Sequence, residues 1–134
     1  MAKIQRVGEL IVYRRLVDLH LRVHEATLAF PQFEMYELGS QVRRSSNSAP
    51  ANLAEGFNNR HVRIYQECLS RAIGEVRETQ HHLLVAHRKG YLTKTQFTDL
   101  VGEYNECSKM LQAIDKKLKV KSQVAERRQR NDPE

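Results

Sequence analysis

Apolar residues recur along this chain at alternating intervals of four and three. From about Glu9 to Ala29, the residues Val12, Leu16, Leu19, Val23, Ala26 and Phe30 keep that spacing. It gathers them into one stripe of an α-helix. Arg14, Arg15, Asp18, Arg22 and Glu25 fall on other faces. Phe30-Pro31 predicts the end of this helix, because the residue before proline is driven toward extended geometry. A second segment, from about Met35 to Phe57, places Leu38, Val42, Ser45 or Ser46, Ala49, Leu53 and Phe57 in its stripe. It is rich in glycine, serine and alanine, so another helix can approach closely. Pro50 lies inside it and predicts a kink or a break, since proline removes a backbone hydrogen bond and crowds the preceding turn.

The third segment runs from about Val62 to Lys89, with Tyr65, Leu69, Ala72, Val76, Thr79, Leu83 and Ala86 in register. Gly90 directly after Arg88-Lys89 fits a left-handed C-cap behind cations that favour the negative end of the helix dipole. The fourth runs from about Lys94 to Lys119 through Phe97, Leu100, Tyr104, Cys107, Leu111, Ile114 and Leu118. Thr93-Lys94-Thr95-Gln96 reads as a capping box, with Leu92 and Phe97 as its hydrophobic staple. The turn Gly90-Tyr91-Leu92 is short enough to force an antiparallel hairpin. The pattern predicts an all-α fold: an antiparallel, up-down-up-down four-helix bundle over residues 1–119. Residues 120–134 lose the apolar stripe and are expected to form a frayed helix end followed by disorder, a flexible basic tail.

Composition narrows the picture further. A chain of 134 residues is one domain's worth. Three prolines, six glycines and no tryptophan leave little turn chemistry for an all-β fold. No apolar run is long enough to span a bilayer. The start, Met1-Ala2-Lys3-Ile4-Gln5-Arg6, lacks the apolar core of a signal peptide, so a cytoplasmic protein is expected. Cys68 and Cys107 lie far apart, outside any C-x-x-C motif, and are expected to pack as small hydrophobes. The net charge of +6 favours an anionic partner such as nucleic acid, although acids are interleaved with the bases.

One stretch carries a resemblance. Phe30, Pro31, Glu34, Tyr36, Leu38, Gln41, Arg43 and Arg44, followed by Ser48, Pro50, Asn52, Ala54, Glu55 and Gly56, meet the pattern F-P-x-x-E-x-Y-x-L-x-x-Q-x-R-R then S-x-P-x-N-I-A-E-G. Leu53 stands where isoleucine is usual, and Ser45-Ser46 stand where alanine is preferred. The segment resembles the bacterial four-helix-bundle family of 23S ribosomal RNA intervening-sequence proteins. The four-helix layout extends the resemblance over roughly residues 9–119. It implies a homo-oligomer, specifically a homopentameric ring. It also implies kinship with the accessory variability determinant of diversity-generating retroelements, which partners a reverse transcriptase and binds RNA. It implies no enzymatic activity.

Three groups of residues are candidates for chemistry. Arg44, Ser48, Asn52, Glu55 and Asn59 form a polar ridge on the second helix. Arg44 and Glu55 are too far apart along one helix to pair. Each then bonds to helix one, helix three or a neighbouring subunit, or contacts a ligand or RNA; a catalytic carboxylate is a further alternative, but Glu55 lacks an obvious second acid. Arg43, Arg44, Arg60, His61 and Arg63 form a basic cluster about helix two and the start of helix three, and Arg127, Arg128 and Arg130 form another in the tail. Such clusters bind RNA or DNA by displacing phosphate counterions, or are simply solvated faces. His20 and His24 share a helix face, and His81, His82 and His87 crowd the third helix, but no further ligand motif joins them. No metal and no cofactor are expected.

Overall fold

In the computed structural model, which describes residues 3–131, the four stripes are four helices of an all-α bundle. They are α1 (Ile11–Thr27), α2 (Leu38–Gly56), α3 (Val62–Arg88) and α4 (Lys94–Asn131). Single 3₁₀ turns, Val7–Glu9 and Gln32–Glu34, precede α1 and α2. Each helix packs on its chain neighbours, and α1 also meets α4. The shared core takes Leu16, Leu19 and Val23 from α1, Val42, Ala49 and Leu53 from α2, Leu69, Ala72, Val76 and Leu83 from α3, and Tyr104, Cys107 and Leu111 from α4.

The most extensive contact is between α2 and α3. Small residues make it possible. A Cβ added at Gly56 would lie 2.0 Å from the Cys68 Sγ and 2.5 Å from its Cβ, so the two helices touch there with no room for a methyl group. Farther along, the hydroxyls of Ser45 and Thr79 meet at 2.8 Å inside the core. Both serines where alanine is usual are buried, and both are satisfied: Ser46 also meets His20 Nδ1 at 2.8 Å. Burial, with a smaller contribution from His24, lowers the pKa of His20. Pro50, expected to kink or break α2, does not break it: the helix runs unbroken through it, with the proline buried. Packing along both flanks of the proline holds the backbone helical where an isolated segment would part.

The turn between α3 and α4 forms as its sequence dictates. Gly90 takes φ +83°, its N–H donates to His87 O, and the Tyr91 N–H donates to Ala86 O, both at 2.9 Å. This is the paired closure of a Schellman cap. Three residues later the capping box closes reciprocally: Thr93 N–H donates to Gln96 Oε1 at 2.9 Å, and Gln96 N–H donates to Thr93 Oγ1 at 3.1 Å. Thr93→Ala is expected to cost about 1 kcal/mol, read as a lower urea midpoint at unchanged slope.

Two boundaries differ from the sequence expectation. The second helix begins at Leu38 rather than near Met35, because residues 32–34 form a tighter turn that carries the Glu34 side chain inward. Residues 120–131, expected to fray from the helix into a disordered tail, continue α4 to Asn131. Lys, Gln, Ala, Glu and Arg sustain a helix without an apolar face. The remaining tail residues, 132–134, lie outside the described residues. Leu118 is the last apolar side chain of α4 packed against the core. The helix therefore runs on for about 20 Å beyond it.

Candidate nucleic-acid interface

Side-chain contacts join α3 to α4. His87 stacks on Phe97 with ring centroids 4.8 Å apart, and Gln80 Nε2 donates to Asn105 Oδ1 at 2.8 Å. Arg60 lies in the turn before α3, and Arg63 in the first turn of α3. Both arginines are exposed, and the turn before α3 is shaped by the His61 N–H donating to Asn59 Oδ1 at 2.9 Å. Arg127, Arg128 and Arg130 are exposed on the last turns of α4. Lys116, Lys117, Lys119 and Lys121 join them, although the sequence alone does not group these lysines with the arginine clusters. Residues 112–131 hold seven lysines and arginines against two acids. The signal for them is the alternating run Lys116-Lys117-Leu118-Lys119-Val120-Lys121, which reads as a polar helix end.

Arg43 and Arg44 stand apart from these residues, in the first half of α2. Arg43 donates to Thr27 Oγ1 at 3.0 Å and to the Met35 carbonyl at 2.6 Å. It ties the end of α1 to the loop before α2, and it lies over Gly39, where a Cβ would stand 2.8 Å from the guanidinium. Arg44 donates to Glu78 of α3, both oxygens within 3.3 Å, on a half-exposed surface. Beside that pair, burial and then the neighbouring Glu78 push the Glu75 carboxyl above the ordinary range.

Elsewhere the ridge on α2 is a surface feature. Asn52 Nδ2 donates back to the Ser48 carbonyl at 2.8 Å, and Glu55 is exposed. Neither charge of the ridge is buried, and the partner of Arg44 comes from helix three.

Sequence inspection missed the most enclosed charge. Glu34 is 1% exposed. Its Oε2 accepts from Lys89 Nζ at 2.9 Å and from the Tyr91 hydroxyl at 3.0 Å. The hydrogen bond from Lys89 lowers its pKa most, burial opposes, and Tyr91 and the Leu38 backbone add to the lowering. Lys89 rises in turn through its bond to Glu34. This carboxylate joins the start of α2 to the turn after α3. Its partners lie 55 and 57 residues away, so nothing local announces them.

No group of three or more His, Cys, Asp or Glu side chains among the described residues converges to hold a metal ion. Cys68 and Cys107 are buried thiols; burial raises both, Cys107 to about 11, so neither is poised as a thiolate. The Tyr104 hydroxyl is buried without a hydrogen-bond partner among the described residues, and burial raises its pKa. No helix of the described residues is long and apolar enough to cross a membrane.

Comparison with known proteins agrees with this architecture. Among solved structures, a protein of unknown function from the S23 ribosomal protein family of Bacteroides thetaiotaomicron is similar, with a TM-score of 0.71. The two are 22% identical, and the likeness covers 79% of this chain and 99% of that one. At that identity it is a likeness of fold. No curated protein matches the sequence. The sequence profile described as 23S rRNA-intervening sequence protein matches residues 8–113. With most of the bundle inside that match, the chain belongs to the 23S rRNA-intervening sequence protein family.

Proposed function

We propose that this chain is a non-enzymatic, self-associating helical-bundle protein of the bacterial cytoplasm that binds nucleic acid, RNA foremost, through phosphate contacts at its basic end. What supports this is the exposure of Arg60 and Arg63 together with the exposed lysines and arginines of the second half of α4, which an antiparallel α3–α4 hairpin would bring to one end of the bundle. It takes the bundle as up-down-up-down, which the opposed pairs Gly56–Cys68 and Ser45–Thr79 support for α2 and α3. Cations so placed release counterions from phosphates without reading sequence. A homopentameric ring, as the family resemblance implies, would repeat the basic end on every subunit and raise its effective affinity.

Binding to a structured RNA and to duplex DNA across a salt series tests the proposal. Affinity is expected to fall steeply with salt, with a slope near 0.9 per phosphate contact on B-DNA. Arg60→Gln with Arg63→Gln is expected to make that slope shallower by about 1–2 and to weaken binding. Affinity that stays flat between low and high salt would sink the electrostatic mechanism.

A second reading is a protein adaptor, such as an accessory subunit of a retroelement reverse transcriptase. It is favoured by an apolar surface at the other end of the molecule: Phe33 is 70% exposed, Tyr36 85% and Leu28 58%. The gene neighbourhood separates the two. An interrupted ribosomal RNA gene supports the first, and an adjacent reverse-transcriptase gene supports the second.

A further inference from the structure

The last turns of α4 stand clear of the bundle. Every residue from 123 to 131 is exposed, so no other element covers any side of the helix there. That is roughly 13 Å of free helix. Because it continues a helix anchored in the core, it needs no nucleation of its own.

The side chains of this half of α4 are sorted by type. Lys116, Lys117, Lys119 and Lys121 precede the free turns, and beyond them the cations are Arg127, Arg128 and Arg130. At 3.6 residues per turn, Gln123, Arg127 and Asn131 fall in one row, on the side of α4 opposite Leu111 and Leu118, which pack on the core. Lys117, Lys121 and Arg128 form a second row, about 100° to one side. Lys119 and Arg130 form a third, about 70° to the other. The acids of residues 112–131 lie on that third side. Lys119 meets Asp115 at 3.1 Å, and Glu126 precedes Arg130 by one turn, so the third row is partly compensated and the first two are not.

Arginine, glutamine and asparagine are the side chains that engage two atoms of one base at a time, whereas lysine is a point charge suited to phosphate. A row of such readers between two cationic rows matches a major groove, with base edges on its floor and phosphates along both rims.

We propose that the free end of α4 lies in the major groove of an RNA helix opened by a bulge, with Gln123, Arg127 and Asn131 facing base edges and the flanking rows facing the two phosphate strands. The inference rests on the RNA-binding reading above and narrows its ligand. A helix with its side chains is about 10–12 Å across. The major groove of a regular A-form helix is deep and too narrow for side chains to read. Unpaired nucleotides break the regular stack and let the groove widen, so a bulged stem admits α4 where a continuous stem does not.

The test is fluorescence anisotropy of the full chain with two labelled RNA stems, one continuous and one carrying a bulge in the same sequence, and with a DNA duplex of that sequence. The bulged stem is expected to bind about tenfold or more tighter than the continuous one. Gln123→Ala, Arg127→Lys and Asn131→Ala together keep the net charge and use good helix formers, so circular dichroism and the salt slope should hold. In that variant the preference for the bulged stem is expected to fall to about threefold or less. Should it lose helix, Arg127→Lys alone gives a smaller loss of the same preference. Arg60→Gln with Arg63→Gln, by contrast, should weaken both stems by the same factor. Equal binding of the two stems with a steep salt dependence overturns the groove assignment and leaves the proposed function standing. A preference that survives the triple variant also overturns it, and tighter binding of the DNA duplex than of the bulged stem overturns the choice of RNA. Failure to bind either stem removes the RNA reading, and this inference with it.

Discussion

Gly56→Ala is expected to destabilise the protein more than any other single-methyl change, by about 3 kcal/mol. The added carbon would lie 2.0 Å from Cys68 Sγ, far inside van der Waals contact. Neither side can give way cheaply. Cys68 is buried, and Gly56 closes α2 with the Phe57 N–H donating to Leu53 O at 2.9 Å. Relief requires α3 to move off α2, which opens the largest helix interface in the molecule. In an exposed mid-helix position the same change would stabilise, since alanine is the better helix former. The sign of the effect therefore reports the contact. Urea unfolding should show a lower midpoint at unchanged slope.

A second substitution locates the cause. Cys68→Ala removes the sulfur but leaves the Cys68 Cβ position, 2.5 Å from the added carbon. The double variant should recover part of the loss and no more. Full recovery would mean that the sulfur alone sets the approach. No recovery would place the damage in the backbone of α2 instead of at the α2–α3 contact.

Gly56 also marks the limit of what the sequence discloses. The periodic stripes are legible because burying one face of a helix needs apolar residues at intervals of four and three. The turn after α3 is legible because Gly90, Thr93 and Gln96 act on backbone groups within a few residues of themselves. Gly56, Glu34 and Arg43 act on groups 12, 55 and 16 residues away, and a single sequence does not pair residues across such intervals. Arg43 reads as a free cation until Thr27 and the Met35 carbonyl are seen to hold it. The end of α4 misleads for a different reason. Loss of an apolar stripe signals loss of packing, and residues 120–131 lose packing while keeping residues that sustain a helix. The basic clusters are therefore half legible: their arginines are visible as charge, but the helix that carries the second cluster out to Asn131 is not.

Glu34→Gln tests the buried network from the other direction. At pH 7 the thermal midpoint is expected to fall by roughly 5 °C. The amide keeps the size of the carboxylate, but it removes the charge that Lys89 answers and brings a donor where Lys89, Tyr91 and the Leu38 backbone all donate. An exposed pair serves as the control: Arg44→Gln, facing Glu78, should cost no more than about 1 kcal/mol. The pH dependence carries the sign. Because the folded protein holds Glu34 below the ordinary glutamate range, its contribution is complete above the unfolded pKa and is lost as pH falls through the lowered folded value. The unaltered protein should therefore lose stability on acidification below about pH 4.3. Glu34→Gln should lose less over the same interval, so the two midpoints converge in acid. A gap that stays constant down to the folded pKa and below it would mean that size and packing at position 34, and not the ionised carboxylate, hold the start of α2 to the end of α3.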